Sequence, residues 1–217
     1  MTTRTKRLFL YMSLPFLAAV LMAGASRAEA ASEARTQLEA TINDVLAELK
    51  KPELKKPATQ QEVLSRVEKI ILRLFDFNEL SMRTVGPGWK NFSDDQKSRF
   101  TLAFEDLLRE TYLEKLQGYS GETVNYLGET ASKDGKRVEI QTSIDIKNKA
   151  VPVSYRMLEK EHWVVYDVII EGVSMVQNYR SQFQELLSKG DAEALITLVA
   201  EKAREMEAQN RQQQTQN

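Results

Sequence analysis

The sequence predicts an α+β fold in which helices pack on one face of a curved antiparallel sheet. Residues 138–146 alternate strictly between apolar and polar side chains, as a strand with one buried face does. Asp134-Gly135 precedes this strand as a hairpin signal, and a second alternating run follows at residues 151–157. Segments of helical periodicity lie on both sides of the strand region, so helices should cover the apolar face of the sheet.

The helices are each predicted from apolar residues at helical spacing. Capping boxes at Thr59 with Glu62 and at Ser93 with Gln96 predict two of the helix starts. The apolar faces lie within residues 38–49, 63–74, 100–116, 176–187 and 195–199.

Glycine and proline mark where these helices end. Gly86 and Gly190 are predicted helix stops, and Asp191 is placed to cap the last helix. The lysine-rich segment KKPELKKP, residues 50–57, separates the first two helices with its two prolines.

The strands are predicted to form consecutive antiparallel hairpins that end with residues 163–170. On an unbroken last strand, Asp167 would share a face with Trp163 and Val165, while Val168 and Ile170 would point the other way. A bulge would exchange these faces.

Composition restricts the classes of protein to which the chain can belong. It has 217 residues, of which 42% are hydrophobic and 28% charged, which suits one compact domain with a sizeable core. It has no cysteine, which excludes disulfides, thiol nucleophiles and an N-terminal lipid anchor. The formal net charge is −1, without the concentrated basic face that nucleic-acid binding requires.

Residues 1–30 have the pattern of a cleavable export signal. A basic start precedes an apolar run, and Ala28-Glu29-Ala30 forms an A-x-A cleavage site. The alternative is a transmembrane anchor, but the run is short for a membrane span and Pro15 interrupts it. We therefore expect a single domain over residues 31–208 and a disordered polar tail over residues 209–217.

The chain is poor in groups that catalyse reactions. Its single histidine, His162, lies in a charged turn, and no zinc cluster, phosphate-binding loop or nucleophile motif is found. Asp167 and Glu171 could form an acid–base pair. The alternative is that they accept hydrogen bonds from backbone or arginine where strand gives way to helix, which the lack of a partner base favours. We predict no catalytic residue, no metal site and no cofactor.

Three segments carry a resemblance to a known family. They are FDFNELSMRTVGPGWKNFSDDQKSRFTLAFEDLLRETY, VPVSYRM and WVVYDVIIEGVSMVQNYRSQF, which begin at Phe75, Val151 and Trp163. Together they resemble the MlaC family, also called the toluene-tolerance family, over roughly Glu33 to Arg204. The segment KKPELKKP matches no motif of that family.

The resemblance implies a soluble periplasmic phospholipid carrier that maintains lipid asymmetry of the outer membrane. Its fold would enclose an apolar pocket for the lipid tails. Its partners would be phospholipid, an outer-membrane lipoprotein–porin complex and an inner-membrane ABC transporter complex with MCE domains. We expect a monomer with no nucleic-acid partner. Two other functions stay open, a small isomerase-like pocket enzyme of the same general fold and a periplasmic chaperone or adaptor.

A carrier of this kind must enclose the lipid tails. Each methylene exposed to water costs about 0.8 kcal/mol, so two sixteen-carbon tails represent roughly 25 kcal/mol. We predict nine lipid-binding positions, although each of them could instead be close-packed core. They are Val151, Val153, Tyr155, Val168, Ile170 and Val173 on the sheet, and Phe104, Leu108 and Tyr112 on the opposite wall.

Overall fold

The computed structural model describes the backbone of residues 14–112 and 114–216, and the side chains of residues 28–112 and 116–212. Three short 3-10 helices, Pro52–Lys55, Gly86–Asn91 and Glu114–Gly118, join longer elements. In chain order, the longer elements are α1 (Leu14–Leu49), α2 (Pro57–Leu74), α3 (Phe77–Val85), α4 (Asp94–Tyr112), β1 (Thr123–Ala131), β2 (Arg137–Ile146), β3 (Lys149–Glu159), β4 (Trp163–Ile170), β5 (Val173–Ser174), α5 (Met175–Lys189) and α6 (Ala192–Gln216).

The strands form one antiparallel sheet in the order β1-β2-β3-β4-β5, so each strand pairs with its neighbour in the chain. Helices α1 and α2 lie against the sheet, and α3 and α5 contact β4. The predicted α+β fold is confirmed, as are the consecutive hairpins.

A bulge in β4 determines which side chains share a face of the sheet. Arg156 pairs with Asp167 and the next residue of β3, Met157, pairs with Val165, so Tyr166 is the extra residue. Trp163 and Val165 therefore lie on the same face as Val168 and Ile170, whereas Asp167 lies on the other. The face assignment for an unbroken strand is wrong, because the bulge reverses the alternation at Tyr166.

Helix α1 covers one end of the apolar face of the sheet. Ala34 and Leu38 are fully buried there against Val138 and Ile140. The side-chain amide of Gln37 forms two hydrogen bonds with the backbone of Trp163. Its Nε2 donates to the Trp163 carbonyl, and its Oε1 accepts from the Trp163 N–H at 3.0 Å. Ala30 lies beside Gly135 in the β1–β2 turn, so α1 passes that end of the sheet at Ala30. We call the opposite end, with the β2–β3 turn and Gly172, the open end.

Helices α3 to α6 form a separate core built around aromatic rings. The ring centroid of Phe104 lies 5.8 Å from that of Phe100, 5.0 Å from that of Tyr179 and 5.6 Å from that of Phe183. We call these four residues the aromatic cluster. Phe100 and Phe104 are fully buried, and rings in edge-to-face and stacked contact leave little room between them.

Two of the predicted helix boundaries are confirmed. The Ser93 N–H donates to Gln96 Oε1 at 2.9 Å, and the Gln96 N–H donates to Ser93 Oγ at 3.2 Å, which forms the predicted capping box. Gly86 ends α3 with a φ of 69°, a conformation that favours glycine.

The capping box predicted at Thr59 and Glu62 is wrong. Helix α2 begins at Pro57, and Thr59 is already inside its first turn. The Thr59 hydroxyl donates instead to the Glu53 carbonyl at 2.9 Å. Proline at the first helical position has a suitable fixed φ and no N–H to satisfy, so the helix starts there without a side-chain cap.

Helix α6 corrects the expectation of a disordered tail. It continues through residues 209–216, and Asn210 is buried. The Asn210 Nδ2 donates to the Glu110 carbonyl of α4 at 2.9 Å, so a polar side chain secures the helix where no apolar residue does.

The N-terminal expectation concerns residues that are only partly described. Residues 1–13, which contain the basic start, lie outside the described residues, and α1 is continuous from Leu14 past Ala30. Over the part of the chain that the structure describes, none of the helices combines the length and apolarity that a bilayer span requires.

Candidate functional site

Six of the predicted lipid-binding residues form one apolar patch on the sheet. Val153 pairs with Ile170, Tyr155 pairs with Val168, and Ile170 in turn pairs with Val173. Directly opposed residues on neighbouring strands share a face, so these side chains are neighbours. We call the set the sheet patch; its members are Val151, Val153, Tyr155, Val168, Ile170 and Val173.

Exposure rises toward the open end along β4 and β5. Val168 is half-buried, Ile170 is 40% exposed and Val173 is 61% exposed, whereas Val153, opposite Ile170 on β3, is 5% exposed. Apolar side chains left uncovered side by side are typical of a surface that binds an apolar partner. The sheet patch therefore has the gradient of a wall that leads from the core to the surface.

Tyr155 shows how the inner part of this wall differs from ordinary core. Burial raises the pKa of its phenol to about 12, because few water molecules are near enough to stabilise the phenolate. Its side chain nevertheless keeps accessible surface. Tyr155 is therefore a desolvated but only half-buried member of the sheet patch.

The remaining three predicted residues lie elsewhere. Phe104 is fully buried in the aromatic cluster, and Leu108 is 7% exposed in the same helical core. Tyr112 is 37% exposed, and burial of its hydroxyl raises its pKa. The structure brings none of these three, all of them described, into the apolar cluster on the sheet. All nine positions stay predictions as lipid contacts.

Sequence reasoning missed Phe75, which connects two of the separate cores. Phe75 is half-buried and packs against both the helical core and the apolar cluster on the sheet. Ile42 of α1 packs partly buried against the cluster on the sheet, and Ile71 packs against a third cluster between α1 and α2. No periodicity could identify Phe75, because it lies in the junction between α2 and α3 rather than on a regular face.

The acidic pair in the last strand has structural partners. Asp167 is 2% exposed, and its carboxylate accepts from Ser174 Oγ at 2.7 Å, from the Val176 N–H at 3.0 Å and from Arg156 Nη1 at 3.3 Å. Glu171 is exposed and accepts from Lys149 Nζ at 2.7 Å. The interpretation that these acids accept hydrogen bonds from backbone or arginine is confirmed for Asp167, whereas the partner of Glu171 is a lysine.

An open cleft of about 520 Å³ lies between the α2–α3 junction, α4 and the β3–β4 turn. Its walls combine Phe75 and Phe77 with polar groups such as His162 and Glu105, whose pKa is raised by burial. The Thr101 hydroxyl at its wall is buried and has no hydrogen-bond partner among the described residues. None of the nine predicted positions, all of which are described, lines this cleft.

The described residues include no group of three histidine or acidic side chains arranged to hold a metal ion. Among the surfaces of the described residues, the sheet patch best fits a long apolar ligand.

Comparisons with known proteins agree with one another. The model of the family described as MlaC protein matches residues 39–201. An intermembrane phospholipid transport system binding protein MlaC from Haemophilus influenzae is 26% identical over 126 residues, which is 56% of this chain and 59% of that relative. The match thus spans less than two thirds of the length of the relative.

A solved structure is similar over a larger share of the chain. It is the phospholipid-binding protein from Ralstonia solanacearum in complex with a phospholipid, with a TM-score of 0.73 and 26% identity. The similarity covers 80% of this chain and 98% of that one.

Proposed function

The chain belongs to the MlaC family, and from this we infer that it binds a phospholipid and carries it through water between two membranes. The observation that carries the proposal is the similarity to a protein solved with a phospholipid bound, which covers 98% of that protein at a TM-score of 0.73. A fold shared at this extent gives the sheet and helices of the two proteins similar relative positions.

The sheet patch supports this function physically. A carrier must compensate most of the roughly 25 kcal/mol that two exposed tails represent, yet release the lipid at its destination. Exposed apolar residues at the open end, Ile170 and Val173, give the tails a point of entry. Half-buried Tyr155 and Val168 continue the same apolar face along which the tails would extend.

The finer parts of the proposal concern location and partners. We propose that the chain is exported, cleaved after Ala30 and active as a monomer in the periplasm. It would exchange lipid with an outer-membrane lipoprotein–porin complex and an inner-membrane ABC transporter complex with MCE domains, and so maintain outer-membrane lipid asymmetry. The A-x-A pattern at residues 28–30 and the name of the Haemophilus influenzae relative support this assignment.

Mass spectrometry of gently purified protein tests the proposal. The intact mass under native conditions should exceed the chain mass by that of one or more phospholipids, and solvent extraction should release them. Chain purified without any copurifying lipid, and unable to take up lipid from vesicles, would contradict the proposal. Copurifying peptide would favour the chaperone alternative, and turnover of a bound small molecule would favour the enzyme. N-terminal sequencing of exported protein tests cleavage after Ala30.

A further inference from the structure

The segment KKPELKKP, which no family motif absorbs, forms a compact basic turn between α1 and α2. We call residues 50–57 the lysine turn; it contains the 3-10 helix Pro52–Lys55. Four lysines stand against the single acid Glu53, which gives the turn a net charge of +3 in a chain whose net charge is −1. Positive charge is therefore concentrated here on an otherwise acidic protein.

The lysine turn is an ordered element rather than a loose loop. Leu54 is 2% exposed and packs with Leu49 and Val63 between α1 and α2. The Gln60 Nε2 donates to the Leu54 carbonyl at 3.0 Å, so α2 also holds the backbone of the turn. The backbone that carries the lysines is therefore held in place. This lowers the conformational entropy lost when the lysines bind one partner together.

Three of the four lysines are available to a partner. Lys51 pairs with Glu48, which Arg66 also contacts at 2.8 Å, so this acid is already neutralised. Lys50, Lys55 and Lys56 are exposed and form no ion pair with any residue that the structure describes. Glu53 is exposed as well and reduces, but does not cancel, their charge.

The lysine turn lies toward the open end of the sheet. Tyr119 packs against the same apolar cluster as Leu54, and β1 begins four residues later at Thr123, which pairs with Asp145 at the open end. The exposed members of the sheet patch, Ile170 and Val173, mark the same end. The β2–β3 turn at this end adds little net charge. Lys149 pairs with Glu171, and the charge of Lys147 is offset by Asp145, two positions before it in the chain.

We propose that the lysine turn binds the anionic headgroups of a phospholipid bilayer and so presents the open end of the protein to the membrane. Ammonium groups in a fixed cluster attract phosphate-bearing lipids, and each lysine near such a surface strengthens binding about fivefold. The combination of lysines with exposed apolar side chains at one end favours a lipid surface over an acidic protein face. The inference rests on the proposed function, because orienting the open end matters only if lipid passes through it.

Cosedimentation with vesicles tests this inference. The full mature protein is mixed with vesicles of phosphatidylglycerol and phosphatidylethanolamine, or of phosphatidylcholine alone, at low salt. We expect preferential binding to the anionic vesicles that falls at least tenfold in the triple variant Lys50→Gln, Lys55→Gln and Lys56→Gln. Raising the salt from about 20 mM to about 300 mM should weaken binding similarly, because exposed charges are then screened.

A matched variant separates the lysine turn from general charge. This control is the triple variant Lys90→Gln, Lys133→Gln and Lys136→Gln. It removes three positive charges outside the lysine turn and should bind anionic vesicles as the parent does. Equal losses in the two triple variants, equal binding to neutral vesicles, or no vesicle binding at all would overturn the inference. Copurifying phospholipid is measured in parallel: the lysine-turn variant should keep it, and its absence from the parent protein would refute the proposed function instead.

Discussion

The aromatic cluster and the sheet patch are built from similar apolar side chains but have opposite packing. In the aromatic cluster, rings approach one another at 5.0–5.8 Å and Phe100 and Phe104 have no exposed surface. In the sheet patch, exposure ranges from 5% at Val153 to 61% at Val173. The rings of the first region cover one another, whereas the second region has apolar surface that the described residues leave uncovered. The molecule thus separates the part that stabilises the fold from the part that is free to bind.

The strongest test of this difference is removal of a ring from the aromatic cluster. Phe104→Ala should lower the free energy of unfolding by about 3–5 kcal/mol, because it leaves a cavity that rigid neighbours cannot fill. Thermal and urea unfolding measure the change. Leu102→Ala, on the exposed side of the same helix, is the control and should change stability by about 0.5 kcal/mol or less. A small effect of Phe104→Ala would show that the cluster is not a closed core.

The connection between the two regions can be broken at Asp167. Asp167→Asn should cost about 1–3 kcal/mol, since an amide cannot accept from Ser174, Val176 and Arg156 together. Urea unfolding of this variant is compared with Glu171→Gln, which changes an exposed acid and should be nearly neutral. Full stability in Asp167→Asn would contradict a structural role for this carboxylate.

A charge in the sheet patch should affect binding rather than folding. Val173→Glu should change the free energy of unfolding by about 0.5 kcal/mol or less, because the side chain is 61% exposed. Copurifying phospholipid should fall several-fold, since a carboxylate against an acyl chain is costly unless it is neutralised.

Leu127→Glu is the matched control for Val173→Glu. Leu127 is a 67% exposed apolar residue on β1 outside the sheet patch, and its replacement should leave the bound lipid unchanged. Undiminished lipid in a folded Val173→Glu protein would remove Val173 from the site, and an unfolded variant would identify it as structural.

The smallest expected effect concerns the hydroxyl of Tyr155. Its folded pKa of about 12 exceeds the ordinary value of about 10, so the folded chain keeps a proton that the unfolded chain loses. This contribution to stability is complete below about pH 10 and is lost as pH rises through about 12. Tyr155→Phe should therefore lose less stability than the parent between about pH 9 and pH 11.5, as measured by urea unfolding. An identical pH dependence would show that Tyr155 is open to water.

The sequence predicted the sheet in more detail than the helices that surround it. Alternation and the Asp134-Gly135 turn were sufficient because hairpins depend on local pattern. The start of α2 at Pro57 was missed because Thr59 and Glu62 formed an equally plausible cap. The helical course of residues 209–216 was missed because Asn210 is held by a residue 100 positions away, a contact that no local pattern reveals.

The sheet patch was predicted as a group, yet for an incomplete reason. The family resemblance and strand pairing placed Val153 and Tyr155 with Val168 and Ile170, and the structure has these residues adjacent. Strict alternation along the strand placed Val168 and Val165 on opposite faces of the sheet. A one-residue bulge, which puts them on the same face, cannot be predicted from the apolar pattern. Phe104 was assigned to the opposite wall of the pocket because helical periodicity shows that a residue is buried but not what it is buried against.

The carboxylate of Asp167 also determines which parts of the protein can open together. It joins β4 to the first turn of α5, while Arg156 extends the connection to β3. Neither the end of the sheet nor the start of α5 can loosen without breaking these bonds. The backbone amides of β4 and the Val176 amide should therefore exchange their hydrogens for deuterium at similar rates, as one cooperative unit. In Asp167→Asn the two rates should separate, with α5 exchanging first and the strands of the sheet still protected.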